Sequence, residues 1–140
     1  MSLEDVFPNL RTSGYTITSP RDPTYNCIAW AANEMDRWWW PNPSYYWPNG
    51  VPRSETLEAF TQAYATLGFT PCEDATLEFE YEKIVIYVNS AGIPTHAARQ
   101  LPNGRWTSKL GKFEDIEHTD TSGLDSPVYG SVAIVLRRHL

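Results

Sequence analysis

Cysteine is scarce in this chain. Cys27 and Cys72 are the only two among 140 residues, too few for a disulfide framework at this length, so both are expected as free thiols. Basic residues are also few. Eleven Lys and Arg stand against seventeen Asp and Glu, the formal charge is −6, and no basic run exceeds Arg137-Arg138. That balance argues against a nucleic-acid partner. No apolar run is long enough for a membrane span, so no membrane partner is expected. Met1 to Pro20 lacks a basic start followed by an apolar block, so a cytoplasmic protein is expected, with signal-independent export as the alternative. No glycine-rich phosphate loop follows a strand, since Asn103-Gly104 reads only as a hairpin turn. His118, His139, Cys72 and the acids show no paired metal-ligand spacing, so neither a metal nor another cofactor is expected.

What is present suits one α+β domain over 1–140, with 41% hydrophobic and 14% aromatic residues to fill its core. Residues 1–23 read as an irregular arm punctuated by Pro8, Gly14, Pro20 and Pro23, with one short alternating piece at Tyr15 to Thr18. From Asn26 a helical stripe of Ile28, Ala31, Ala32 and Met35 is expected, capped by Asn26 or Thr24, with no proline before Pro41. A second helix should open at Ser54, bury Leu57, Phe60, Tyr64 and Leu67, and close at Gly68. Ile84 to Val88 is a dense β-branched run, the mark of a buried strand, and Tyr129 to Leu136 reads as the last strand. N-terminal helices packed on an antiparallel sheet of four or five strands are the expected architecture.

The segment 38–53 is unusual. Between Trp38 and Gly50 it holds six aromatic residues and three prolines, which exclude a regular helix or central strand. Such a loop either folds back as a lid over the core, the default because exposed aromatic clusters are a liability, or offers flat rings to a ligand. Tyr45, Tyr46 and Trp47 are its candidate contacts, with Trp30 and Trp106 as further aromatic candidates elsewhere.

Two residues point to chemistry. Cys27 falls in the first turn of the first long helix, where the dipole and free N–H groups favour a thiolate, and His96 follows on a strand. The alternative is a small buried thiol and a surface histidine. The turn Pro102-Asn103-Gly104 phases the hairpin: as a three-residue loop it should pair Leu101 with Arg105, which puts His96 on one side with Ala98, Gln100, Trp106 and Ser108. Arg99, Arg105, Thr107 and Lys109 then take the other side, whereas a two-residue Asn103-Gly104 loop would put Lys109 and Gly111 on the histidine side. His96 is therefore expected to point into the protein, with Ser108 on its face. Ser108 is equally readable as an ordinary strand serine. Cys72, after Pro71 and with no histidine nearby, reads as structural or incidental.

The run Glu82-Lys83-Ile84-Val85-Ile86-Tyr87, then His96, an Asn-Gly turn and Arg105-Trp106-Thr107-Ser108, resembles the NlpC-type cysteine peptidases of the papain-like fold across residues 24–112. The resemblance implies a Cys27 nucleophile acting on a peptide or other amide-bearing substrate, His96 as base and then acid, and Ser108 orienting the imidazole. Asp115 and Glu117 are the carboxylate alternatives for that last role, although each also reads as a solvated acid. The Cys27 N–H is then the oxyanion donor, with Asn26 or Tyr25 as support. The same pair would equally serve acyl transfer, deamidation or a toxin-like activity. The chain departs from the family at Asn26, where an aspartate is usual, at Ala29-Trp30, where a glycine is expected, and in its added aromatic loop. A binding or structural domain that uses that loop is the reading from another class, and a packed Cys27 distant from His96 would favour it.

Overall fold

A computed structural model describes residues 3–19, 22–110 and 114–140. Pro20, one of the expected punctuators of the arm, lies outside them, as does Gly111 of the alternative hairpin register. The organising element is the β-branched strand β3 (Tyr81–Val88), in which Ile84, Val85, Ile86 and Tyr87 are all fully buried. A strand buried on both faces must be central. It pairs on one side with β4 (Pro94–Gln100) and on the other with β7 (Ser131–His139). The sheet is completed by β1 (Tyr15–Ser19), β2 (Thr70–Cys72), β5 (Trp106–Lys109) and β6 (Asp115–His118), in the order β1-β6-β5-β4-β3-β7-β2. Every recorded pairing is antiparallel. Among the described residues seven strands replace the expected four or five, because β1, β2 and β6 are short pieces and the β1–β6 and β2–β7 pairings join segments distant in sequence. The fold is α+β with few helices.

The β4–β5 register is the one the turn dictates. Leu101 N–H donates to Arg105 O at 2.7 Å, Gly104 has φ +88°, and Gln100 lies opposite Trp106. Side chains therefore alternate by position. Ile84, Ile86, Ala97 and Leu136 pack into one apolar cluster, and Val85, Tyr87, Ala98 and Trp106 into the other.

The first face is covered by α3 (Cys27–Ala31), α4 (Leu57–Ala65) and the aromatic loop. The helix opening at Cys27 is shorter than its stripe suggested: Asn33 adopts φ +64° just after the Ala32 cap, and Met35 is left exposed. The next helix is capped by Thr56, whose hydroxyl accepts from Ala59 N, rather than by Ser54, whose hydroxyl bonds that of Thr56 instead. The opposite face is covered by α1 (Leu3–Val6), α2 (Leu10–Ser13) and a 3-10 turn (Thr121–Leu124). The strand β1 falls on the expected alternating piece, whereas the described residues before it form two short helices where irregular chain was expected, because Leu3, Phe7 and Leu10 have an apolar sheet face to bury. Burying a residue of this size contributes roughly 1.5–3 kcal/mol. The last strand also runs on through Arg137-Arg138, paired with Lys83 and Glu82. Gly130 is required before it, since a Cβ there would stand 1.8 Å from Val88 O at φ +76°.

One side chain joins the short helix to the aromatic loop. Asn26 Oδ1 accepts from Ala29 N, capping the helix, and also from Trp39 N, while its Nδ2 donates to Trp39 O at 2.7 Å. An aspartate could make the first two bonds but would set a carboxylate oxygen against the Trp39 carbonyl. Asn26→Asp should therefore destabilise the protein by about 1–3 kcal/mol, the cost of a buried acceptor left facing an acceptor. Urea unfolding followed by tryptophan fluorescence checks this, and equal stability of the two forms would refute the constraint.

Candidate functional site

Cys27 and His96 are not brought together. Cys27 belongs to the α3 side of the sheet, and its recorded hydrogen-bond partner is Thr95 O, at 4.0 Å. His96 is the next residue along β4 and points through to the other side, where its ring stacks on Tyr129 with centroids 4.2 Å apart and lies 5.3 Å from Tyr87. Alternation along a strand is the reason: what faces Cys27 is the Thr95 and Ala97 backbone, and His96 falls at the wrong parity. No other histidine replaces it. His118 shares the His96 side, and His139 sits on Tyr81 at the far end of β3. Burial pushes the Cys27 thiol up to about 11, and the Ala97, Ile28 and Cys27 N–H groups and the Lys109 cation offset this only in part. The resting sulfur is a thiol.

The oxyanion supports are also engaged elsewhere. All the bonds of the Asn26 amide just described are internal, and the Tyr25 hydroxyl donates to Asp115 Oδ2 at 2.6 Å. Asp115 is fully buried, not the solvated acid its run suggested. It also accepts from the Ser19 hydroxyl, and its Oδ1 lies 4.0 Å from Lys109 Nζ. It sits on the α3 side, as does Glu117, which is held by Arg105 at 2.6 Å, so neither orients His96.

Ser108 does contact His96, within a larger chain of bonds. His118 Nδ1–H donates to Asp120 O at 2.8 Å, which leaves His118 Nε2 to accept from the Ser108 hydroxyl at 2.8 Å. The Ser108 oxygen in turn accepts from His96 Nε2–H at 3.1 Å, and His96 Nδ1 remains buried with no partner. His96, Ser108 and His118 are all fully buried. Burial holds His96 well below the ordinary imidazole range, with His118 a lesser cause, and lowers His118 to about 4 against the opposing Asp120 carbonyl and carboxylate. Both rings are neutral near pH 7. The sequence reading missed His118 as a member because its place opposite Trp106 depends on the β5–β6 pairing.

The aromatic loop divides its rings between two tasks. Trp39 and Trp47 are buried, with Trp39 against Tyr64 and Trp47 edge-on to Phe60. Tyr46 is half-buried beneath the Arg37 guanidinium at 3.5 Å. Trp30 stacks on Tyr25 and donates to Thr107 Oγ1, and Trp106 is buried on the opposite face, whereas Tyr45 lines a cavity. That cavity has a volume of about 340 Å³ and is lined by Trp38, Trp40 and Tyr45 with Asn26, Cys27 and Thr95. Trp38 and Trp40 were missed as contacts. Their signal was period two: Trp39 is buried and the residues on either side of it are only half-buried, Trp40 with one edge on Phe60.

A larger polar groove of about 520 Å³ lies beside Cys72. It is filled with internal ion pairs, Lys83 with Asp74 and Glu78, and Arg137 with Glu78. Cys72 is a half-buried thiol at its edge. No group of three or more His, Cys, Asp or Glu that could hold a metal occurs among the described residues. Among the same residues no helix is long and apolar enough to cross a membrane.

The chain is therefore an α+β domain with both faces of its antiparallel sheet covered and an aromatic cavity at the start of α3. It belongs to a family described as a domain of unknown function, DUF7689, whose model matches residues 16–137. No curated protein and no solved structure matches it.

Two outcomes follow from this geometry. Iodoacetamide should label Cys27 at pH 7.5 at least tenfold more slowly than a free thiol of pKa about 8.5, and His96→Ala should leave that rate unchanged. Peptide mass spectrometry with Cys72 as internal reference reads both, and a rate that falls with His96→Ala would restore the dyad. The histidine pair should also make the fold acid-sensitive. Each pKa is lower folded than unfolded, so the unfolded chain binds more protons, and stability present above about pH 6.5 is lost as pH falls toward 4. For His118 the loss is on the order of 3 kcal/mol. Urea midpoints between pH 7.5 and 4.5 should fall with pH, and less steeply in His118→Gln; identical slopes would show that the ring does not titrate in this range.

Proposed function

We propose that this protein is a binding module whose working site is the cavity formed by Trp38, Trp40 and Tyr45 at the start of α3. The observation that carries this reading is the division of labour in the loop: Trp39 and Trp47 anchor it in the core, Trp40 packs edge-on to Phe60 with part of its ring on the cavity, and Trp38 and Tyr45 complete the open wall. A loop whose only task was to cap the core would bury its rings. At about 340 Å³ the cavity falls at the small end of ligand pockets, and half of its lining residues are aromatic, a usual character of such sites. Asn26 holds the loop backbone, which preorganises the rings and lowers the entropic cost of binding.

The papain-like, NlpC-type relationship remains a proposal about ancestry. A cysteine-bearing helix ahead of the β3–β4–β5 meander supports it, while the parity of His96 and the engaged Asn26 amide argue against retained thiol hydrolysis. In this reading the cavity occupies the place where an amide substrate would approach Cys27. A small ligand or a side chain of a larger partner enters there, and no bond is broken.

NMR titration with a panel of N-acetyl amino-acid methylamides and small saccharides should shift the Trp38, Trp40 and Tyr45 resonances and spare those of Trp106 and Tyr129. Trp38→Ala combined with Tyr45→Ala should weaken any such binding at least tenfold without unfolding the domain, since Tyr45 is 45% exposed. Millimolar panels that leave the cavity resonances unmoved would remove the proposal.

A further inference from the structure

We infer that the cavity selects a methylated ammonium group, of the kind carried by choline or by a trimethylated lysine side chain; this rests on the binding-module reading. The first argument is what the lining can offer. No charged residue lines the cavity, and its non-aromatic polar groups are already committed. The Asn26 oxygen already accepts from Ala29 N and Trp39 N while one N–H of the amide donates to Trp39 O, so its acceptor capacity is taken, and the Thr95 hydroxyl donates to Tyr129 O at 2.5 Å. A sugar, which needs several hydrogen bonds at once, would lose more to water than these walls return. A primary ammonium would give up three strong bonds to water for want of acceptors. A methylated ammonium has few such bonds to lose and keeps its charge, so ring faces, with their negative quadrupole, are sufficient partners.

The second argument is how this chain uses its other rings. Among the described residues five cations stand over aromatic faces: Arg37 on Tyr46, Arg99 on Trp30, Lys109 on Tyr25, Arg137 on Tyr81 and Arg138 on Phe69. The usual frequency is roughly one per 70–80 residues. Trp38, Trp40 and Tyr45 carry no recorded cation of the chain's own among the described residues, although they line a cavity large enough to admit one with its stem. Trp38 and Tyr45 stand 5.9 Å apart at 32°, close enough to act on one guest. The third argument is the field: a formal charge of −6 draws cations toward the surface and repels anionic competitors.

The test compares choline with its neutral isostere 3,3-dimethylbutan-1-ol, and N-acetyl-Nε-trimethyl-lysine methylamide with its unmethylated parent, on the full chain and on Trp38→Ala, by NMR and indole fluorescence. The expected result is at least about tenfold tighter binding of each methylated cation than of its control, localised to the cavity rings and lost in the variant. The two cations also separate the sources: tighter binding of the lysine derivative indicates a modified protein side chain, and tighter binding of choline a free or lipid-borne head group. A neutral isostere or an unmethylated lysine that binds equally well would overturn the cation inference while the binding-module reading stands. If neither cation binds but another member of the ligand panel does, only this inference falls; if nothing perturbs the cavity, both fall. Trp38→Tyr, which keeps a ring face, should restore part of the affinity, separating loss of the cage from loss of the fold.

Discussion

The amide of Asn26 is the constraint on which the candidate site depends. Its three hydrogen bonds tie the first turn of a five-residue helix to the backbone of Trp39, thirteen positions on. A helix that short has little stability of its own, and a loop with four prolines has few ways to satisfy its backbone. Each is held by the other through one side chain that can accept and donate at once. Burial of Trp39 and Trp47 completes the attachment. Trp40 leans on Phe60 at the edge of that core, and Trp38 and Tyr45 beside it lie outside the core.

Strand parity is the second constraint. The sheet is covered on both faces, so every residue of β4 is committed to one environment or the other, and adjacent residues to opposite ones. Cys27 packs beside the Thr95 carbonyl, and His96 lies beyond the strand in a layer built from Tyr87, Tyr129 and the N-terminal helices. In its own layer His96 serves a chain of bonds through Ser108 to His118, all three side chains fully buried, whose consequence is a neutral, pH-dependent core. Lys109 with Asp115, Tyr25 and Ser19 makes a comparable polar group on the α3 side. Buried polar groups of this kind specify one arrangement of the layers more than they add stability.

Residue chemistry alone determined a good deal. The β-branched run at Ile84, the Pro102-Asn103-Gly104 turn and its register, the Asn26 cap and the facing of His96 toward Ser108 are local, each following from propensity, turn geometry or alternation over a few residues. The division of the loop between core and cavity was half legible: its aromatic content announced a special role, but the period-two placement around Trp39 needed the loop to be laid against Tyr64 and Phe60. What only tertiary structure decided was which face each element covers. Whether α3 packs on the Ala97 or the Ala98 side of β4 is a choice between two apolar surfaces that the sequence of either element cannot express, and that choice separates Cys27 from His96. The same holds for the arm, which is ordered because Leu3, Phe7 and Leu10 find the exposed side of the sheet, and for β1, β2 and β6, whose partners lie up to about a hundred positions away in the chain. Such pairings bring together residues that no local pattern connects.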